Sequence, residues 1–77
     1  MSIKFSDHAT RQLKARKISK RDVIQTVKNP EVKSKSFKNR TLRRRRFGSK
    51  MLEVVTITEG STIIVITPYY LEEEDEN

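Results

Sequence analysis

The run Arg40-Thr-Leu-Arg-Arg-Arg-Arg-Phe47, Gly48-Ser49, Lys50-Met-Leu-Glu-Val-Val-Thr-Ile-Thr58, Glu59-Gly60, Ser61-Thr-Ile-Ile-Val-Ile-Thr67 decides the fold. Lys50–Thr58 and Ser61–Thr67 are dense in Val, Ile and Thr, the residues that suit a pleated and half-buried surface. Gly48-Ser49 and Glu59-Gly60 separate the segments by two residues each, which predicts tight hairpins. Thr41–Phe47 reads as a strand despite its charge. Two-residue loops then set a register: Phe47 opposite Lys50, Arg45 opposite Leu52, Arg43 opposite Val54, Thr41 opposite Thr56. On the other face Arg44 meets Glu53 as a cross-strand ion pair and Leu42 meets Val55. Leu42, Val55, Ile57, Ile64 and Ile66 are expected to face the core, and Arg43 and Arg45 the open side. A bulge of one residue would exchange the faces.

Upstream, the hydrophobic period is that of helices. Ser6 is an N-cap and Asp7 suits the positive end of a helix dipole, so a first helix is expected from Asp7 to about Lys17. Ser19-x-x-Asp22 is close to a capping box and opens a second helix, Lys20 to Lys28, whose apolar face is Val23, Ile24 and Val27. Asn29-Pro30 stops it. Val32–Phe37 is a candidate edge strand guarded by lysines. Pro68 is expected to end the last strand. The expectation is an α+β fold: two N-terminal helices on one face of a three- to four-stranded antiparallel sheet, because neither layer buries its apolar side alone. Residues 1–71 form one domain, and Glu72-Glu-Glu-Asp-Glu-Asn77 reads as an acidic disordered tail.

The chain has 77 residues, with 17 Lys and Arg against 10 Asp and Glu. Every basic residue lies in positions 1–50, where the only acids are Asp7, Asp22 and Glu31. Such a field is the electrostatic footprint of a protein that meets a polyanion. There is no cysteine, which excludes disulfides, thiolate metal sites and a cysteine nucleophile. With a single His, no metal site and no cofactor is expected. No segment approaches the roughly 20 apolar residues of a membrane span, and no signal peptide is recognisable, so a cytoplasmic protein without membrane contact is expected.

Arginine forms forked bonds to phosphate oxygens and stacks on bases, which makes Arg40, Arg43, Arg44, Arg45 and Arg46, with Lys38 and Lys50 at the edges, candidates for binding nucleic acid. The same run also reads as a solvated edge, or as a surface for an acidic protein or the chain's own tail. His8 lies one helical turn from Arg11 and Gln12. A neutral His beside cations is a candidate base, and arginines such as Arg11 and Arg16 are candidates for steadying a charged phosphate. His8 reads equally as a residue packed at the helix–sheet boundary. Tyr69-Tyr70 reads either as a stacking or proton-donating pair, or as an anchor for the C-terminus.

The residues Ser6-Asp-His-Ala-Thr-Arg11-x4-Arg16-Lys-Ile-Ser19-x2-Asp-Val23-x5-Asn-Pro30, with the ending Val65-Ile-Thr67-Pro-Tyr69, resemble a group of small uncharacterised domains. That group opens on Ser-x-His-Ala-x-x-Arg-x4-Arg-x-Ile and is related to RelE- and BrnT-like toxins. The likeness covers the helical hairpin and the last strand and is loose through residues 31–50. It implies a RelE-like fold, in which two helices pack on a twisted antiparallel sheet. It also implies an mRNA-cleaving activity that uses scattered basic residues with a tyrosine or histidine. With one residue fewer between Ala9 and Arg11 than in that opening, His8, Arg11 and Arg16 match its marked positions, and Tyr70 is similar in place to a C-terminal tyrosine of some RelE-like nucleases. Three expectations follow: an RNA-binding protein of the RelE/BrnT-like superfamily; a metal-independent ribonuclease toxin; or a protein-binding module without enzyme activity that takes an acidic partner. An acidic antitoxin is the partner that the likeness implies. Monomer and homodimer both stay open.

Overall fold

A computed structural model describes residues 2–71. The elements run β1 (Ser2–Phe5), α1 (Asp7–Ala15), α2 (Lys20–Lys28), β2 (Val32–Lys35), β3 (Arg40–Phe47), β4 (Lys50–Glu59) and β5 (Thr62–Leu71). The five strands form one sheet in the order β1-β5-β4-β3-β2. The fold class is α+β, as the sequence predicts. The sheet is mixed rather than antiparallel, because β1 lies parallel to β5, with Phe5 opposite Val65. Ile3-Lys-Phe5 is thus a fifth strand that the sequence analysis did not assign. Its four residues are too few to show a period, and its partner lies some sixty positions away. The expected acidic tail, 72–77, falls outside the described residues.

Both helices form for local reasons. The Ser6 hydroxyl accepts the Ala9 N–H at 3.0 Å, and the Ser19 hydroxyl accepts the Asp22 N–H at 3.3 Å. Helix α1 ends in a Schellman turn: Lys17 N–H donates to Lys14 O, and Ile18 N–H to Leu13 O. Lys17 takes the left-handed position, φ 55°, that glycine usually occupies. The helix therefore stops two residues short of the expected Lys17, and only Arg16–Ser19 separate it from α2.

Helix α1 packs on β5 and β1, and α2 on β4 and β3. The buried core comprises Ala9, Ile18, Val23 and Val27 from the helical layer and Leu52, Val54, Ile63 and Val65 from the sheet. Ile3, Phe5, Leu13, Phe47 and Tyr70 pack around it. The β3–β4 register is residue for residue the one expected from two-residue loops. The faces are reversed. Leu52 and Val54 meet the helices, together with Arg43 opposite Val54, and Val55 and Ile57 point to the other side.

The cause lies in β4 and β5. Strand β4 is apolar at both parities, so its pattern does not select a face. In β5, Val55 pairs with Thr67 and Thr56 with Val65, which leaves Ile66 as a bulge. The bulge lets Ile63 and Val65 before it, and Pro68 and Tyr70 after it, all face the helices. The Ser6 hydroxyl donates to the carbonyl of Ile66 at 3.2 Å, so the N-cap of α1 also secures the bulge. Pro68 does not end the strand. β1 pairs only as far as Val65, so beyond it β5 is an edge, where a missing N–H is tolerated.

Candidate nucleic-acid interface

Alternate residues of a strand point to opposite faces, so the arginine run of β3 is divided between two environments. Arg43 is 7% exposed and lies beneath α2. Its Nε–H donates to Thr56 Oγ1 at 3.1 Å and its guanidinium to Val27 O at 3.1 Å. Arg45 donates to Asn29 O at 2.8 Å, and its guanidinium carbon stands 5.9 Å from the Phe47 ring centroid. The last carbonyls of a helix lack partners within it and carry the negative end of its dipole. Arg43 and Arg45 supply both the donors and the charge. Burial lowers the pKa of Arg43 from its ordinary value, but a guanidinium stays charged in proteins. These two arginines therefore do not stand on the open face, contrary to the sequence expectation.

Arg40, Arg44 and Arg46 have the other parity and point to the face without helices. Their neighbours there, by register, are Leu42, Met51, Glu53, Val55, Ile57, Ile64, Thr67, Tyr69 and, on β1, Lys4. Across this face Val32, Arg44, Glu53 and Tyr69 form one row over four strands. Arg44 Nε–H donates to Glu53 Oε1 at 2.9 Å, and the Tyr69 hydroxyl donates to Glu53 Oε2 at 2.7 Å. Glu53 is 3% exposed, covered by these two partners, while the Arg44 side chain remains 39% exposed. Desolvation pushes the Tyr69 hydroxyl up to about 12; the hydrogen bond and charge of Glu53 add to this, and Arg44 opposes it. The predicted Arg44–Glu53 pair is thus present, but on the open face rather than at the edge of the core. Arg46 is exposed, and its backbone N–H donates to Glu31 Oε1 at 3.3 Å.

A family model described as a domain of unknown function (DUF4258) matches residues 5–70. The chain belongs to this family. No curated protein and no solved structure matches it. In this DUF4258 chain the sequence-predicted site residues do not converge. His8 and Arg11 are exposed on α1, and Arg16 is its exposed C-cap, all in the helical layer. Tyr70 lies on the helix-facing side of β5, packed against the core, with Lys50 Nζ 4.9 Å from its ring centroid. Arg40, Arg44 and Arg46 occupy the opposite face, and Lys38 lies in the β2–β3 turn.

Sequence reasoning missed Glu53 and Tyr69 as a linked pair on the arginine face. The β4–β5 register beyond the bulge brings them together, and nothing local signals that bulge. Lys4 was missed with its strand. Among the described residues no group of three or more His, Cys, Asp or Glu is placed to hold a metal ion. No described helix is long and apolar enough to cross a membrane.

Proposed function

We propose that the protein binds single-stranded RNA across its helix-free sheet face, as a RelE/BrnT-like member of the toxin superfamily. The observation that carries this reading is the positioning of Arg40, Arg44 and Arg46 at positions of one parity along one strand, with Leu42 between the first two, on a face that no described helix covers. Such a row presents guanidinium groups along one direction, which suits a phosphate backbone. Leu42, Ile57 and the Tyr69 ring, each half-buried, lie between and beside them as apolar surface for bases. The basic excess of residues 1–50 adds a long-range attraction. The RelE-like assignment draws on the motif Ser6–Pro30 and on the two helices packed on one side of the sheet.

The test is RNA binding over a salt series. Each neutralised phosphate contributes about 0.7 to the slope of log K against log salt for a single strand. Arg46→Ala combined with Arg44→Gln, which keeps a donor for Glu53, lowers the slope by about 1.4 on the same count. Arg16→Ala in the helical layer leaves it unchanged. An unchanged slope in the strand pair, or an equal loss in Arg16→Ala, removes the assignment.

A second reading, metal-independent cleavage of the bound RNA, is favoured by one observation: a carboxylate bridged to a tyrosine hydroxyl on the same face as the arginines. In that reading bound RNA draws Arg44 and Tyr69 away from Glu53, whose freed carboxylate takes the proton of the ribose 2′-OH as its oxygen attacks phosphorus. The 5′-oxygen leaves with the proton of Tyr69, producing a cyclic phosphate. RNA cleavage that persists in chelator and is lost in both Glu53→Gln and Tyr69→Phe is the expected result. Loss in His8→Ala instead would return the chemistry to the helical layer.

A further inference from the structure

The β2–β3 connection is a tight turn, Phe37-Lys38-Asn39-Arg40. Its central residues both have positive φ, 63° and 61°, the pattern of a type I′ turn. Arg40 N–H donates to Phe37 O at 3.4 Å, and Ser36 N–H to Arg40 O at 2.8 Å, so the turn is pinned at both ends. Beside it lies a cavity of about 160 Å³ lined by Lys35, Asn39, Arg40 and Thr41. All four side chains carry hydrogen-bond donors, two are cations, and none is a carboxylate. Arg40 Nε is shut off from solvent and has no acceptor among the described residues. A buried donor without a partner is costly, and a charged one more so, so a small turn of the Arg40 side chain that brings Nε–H to an acceptor in the pocket is favourable. The cavity is several times the roughly 30 Å³ that one water occupies in the liquid, so a tetrahedral oxyanion fits. The first residue of the same turn, Phe37, is 75% exposed, more than any other large hydrophobic side chain among the described residues. An aromatic ring exposed to water on the same turn as this pocket is a platform on which a base can stack.

We propose that this turn is a seat for one phosphorylated nucleotide, with the phosphate in the pocket on Arg40 and Lys35 and the base stacked on Phe37. The seat deepens the RNA-binding reading and rests on it for the nature of its ligand: it is where a strand end bearing a phosphate is gripped, beyond the row of Arg44 and Arg46.

The test uses the full chain with ¹⁵N-labelled arginine, titrated with 5′-AMP, 3′-AMP, adenosine and inorganic phosphate. At least one AMP isomer is expected to shift the Arg40 Nε–H resonance and to bind at least tenfold tighter than adenosine or phosphate. Phe37→Ala should bring AMP down to the affinity of phosphate and leave phosphate unchanged. Lys35→Ala should weaken both several-fold. Both side chains are exposed and outside the core, so these variants fold. Arg16→Ala, in the helical layer, should leave AMP binding unaltered. AMP binding no tighter than that of phosphate, or insensitive to Phe37→Ala, overturns the nucleotide seat. An Arg40 resonance that no probe moves overturns the pocket itself. Binding of longer RNA with an Arg46-dependent salt slope in the same sample would show that the sheet-face reading survives that failure. Loss of the slope with AMP binding intact would separate the two in the other direction.

Discussion

Arg43 and Arg46 are three positions apart on one strand and belong to different parts of the molecule. Arg43 is closed under α2, bonded to a helix carbonyl and a threonine hydroxyl. Arg46 projects from the other face, with only its backbone engaged. The run is therefore two interleaved sets: Arg43 and Arg45 complete the end of a helix, and Arg40, Arg44 and Arg46 face the helix-free side. A charge count along the chain does not separate them; strand parity does.

Arg43→Ala is the sharpest way to break this division. It strips Val27 O and Thr56 Oγ1 of their donor inside the protein and leaves a void, so a loss of about 2–4 kcal/mol is expected in chemical denaturation. Arg46→Ala should stay within about 0.5 kcal/mol of the parent. Equal effects would erase the distinction between the two sets. Glu53→Ala is expected to follow with a loss of about 1–3 kcal/mol, since it leaves Arg44 and Tyr69 without their shared acceptor.

The same row has a pH signature. The pKa of Tyr69 is raised in the folded state, to about 12 from an ordinary 10. The folded protein thus holds this proton more tightly than the unfolded chain. Its contribution is full below about pH 10 and fades as pH rises towards 12. Tyr69→Phe should flatten that part of the stability profile, and Glu53→Gln should lower the pKa seen by ultraviolet titration of the phenol. A profile unchanged in Tyr69→Phe would detach Tyr69 from the row. The smallest effect belongs to Lys17→Gly: relieving the left-handed position at the end of α1 should stabilise by about 0.5–1 kcal/mol, measured as a shifted denaturation midpoint.

Much of the architecture was legible because its signals are local. Ser19 and Asn29-Pro30 bracket α2 to the residue, and the Gly48-Ser49 turn sets the β3–β4 ladder pair by pair. The facing of that ladder was not legible. Met51, Val55 and Ile57 are as apolar as Leu52 and Val54, and the feature that decides between them is a bulge at Ile66 bonded to Ser6, sixty residues away. The candidate site inherits the same limit. The arginines were visible as a group, whereas which of them are free depends on where α2 ends in space. Strand β1 stayed hidden for a related reason, since a four-residue edge strand is defined by its neighbour and not by its own composition.

The parallel pairing of β1 with β5 has a consequence for how the chain is made. Strand β1 finds its place only against β5, and both helices lie between them in the chain. A nascent chain that ends before Thr62 has neither a seat for β1 nor the Ile63 and Val65 half of the core. Assembly should thus be close to all-or-none and wait until β5 has been made, and a truncation before Thr62 should leave an unfolded peptide rather than a smaller domain.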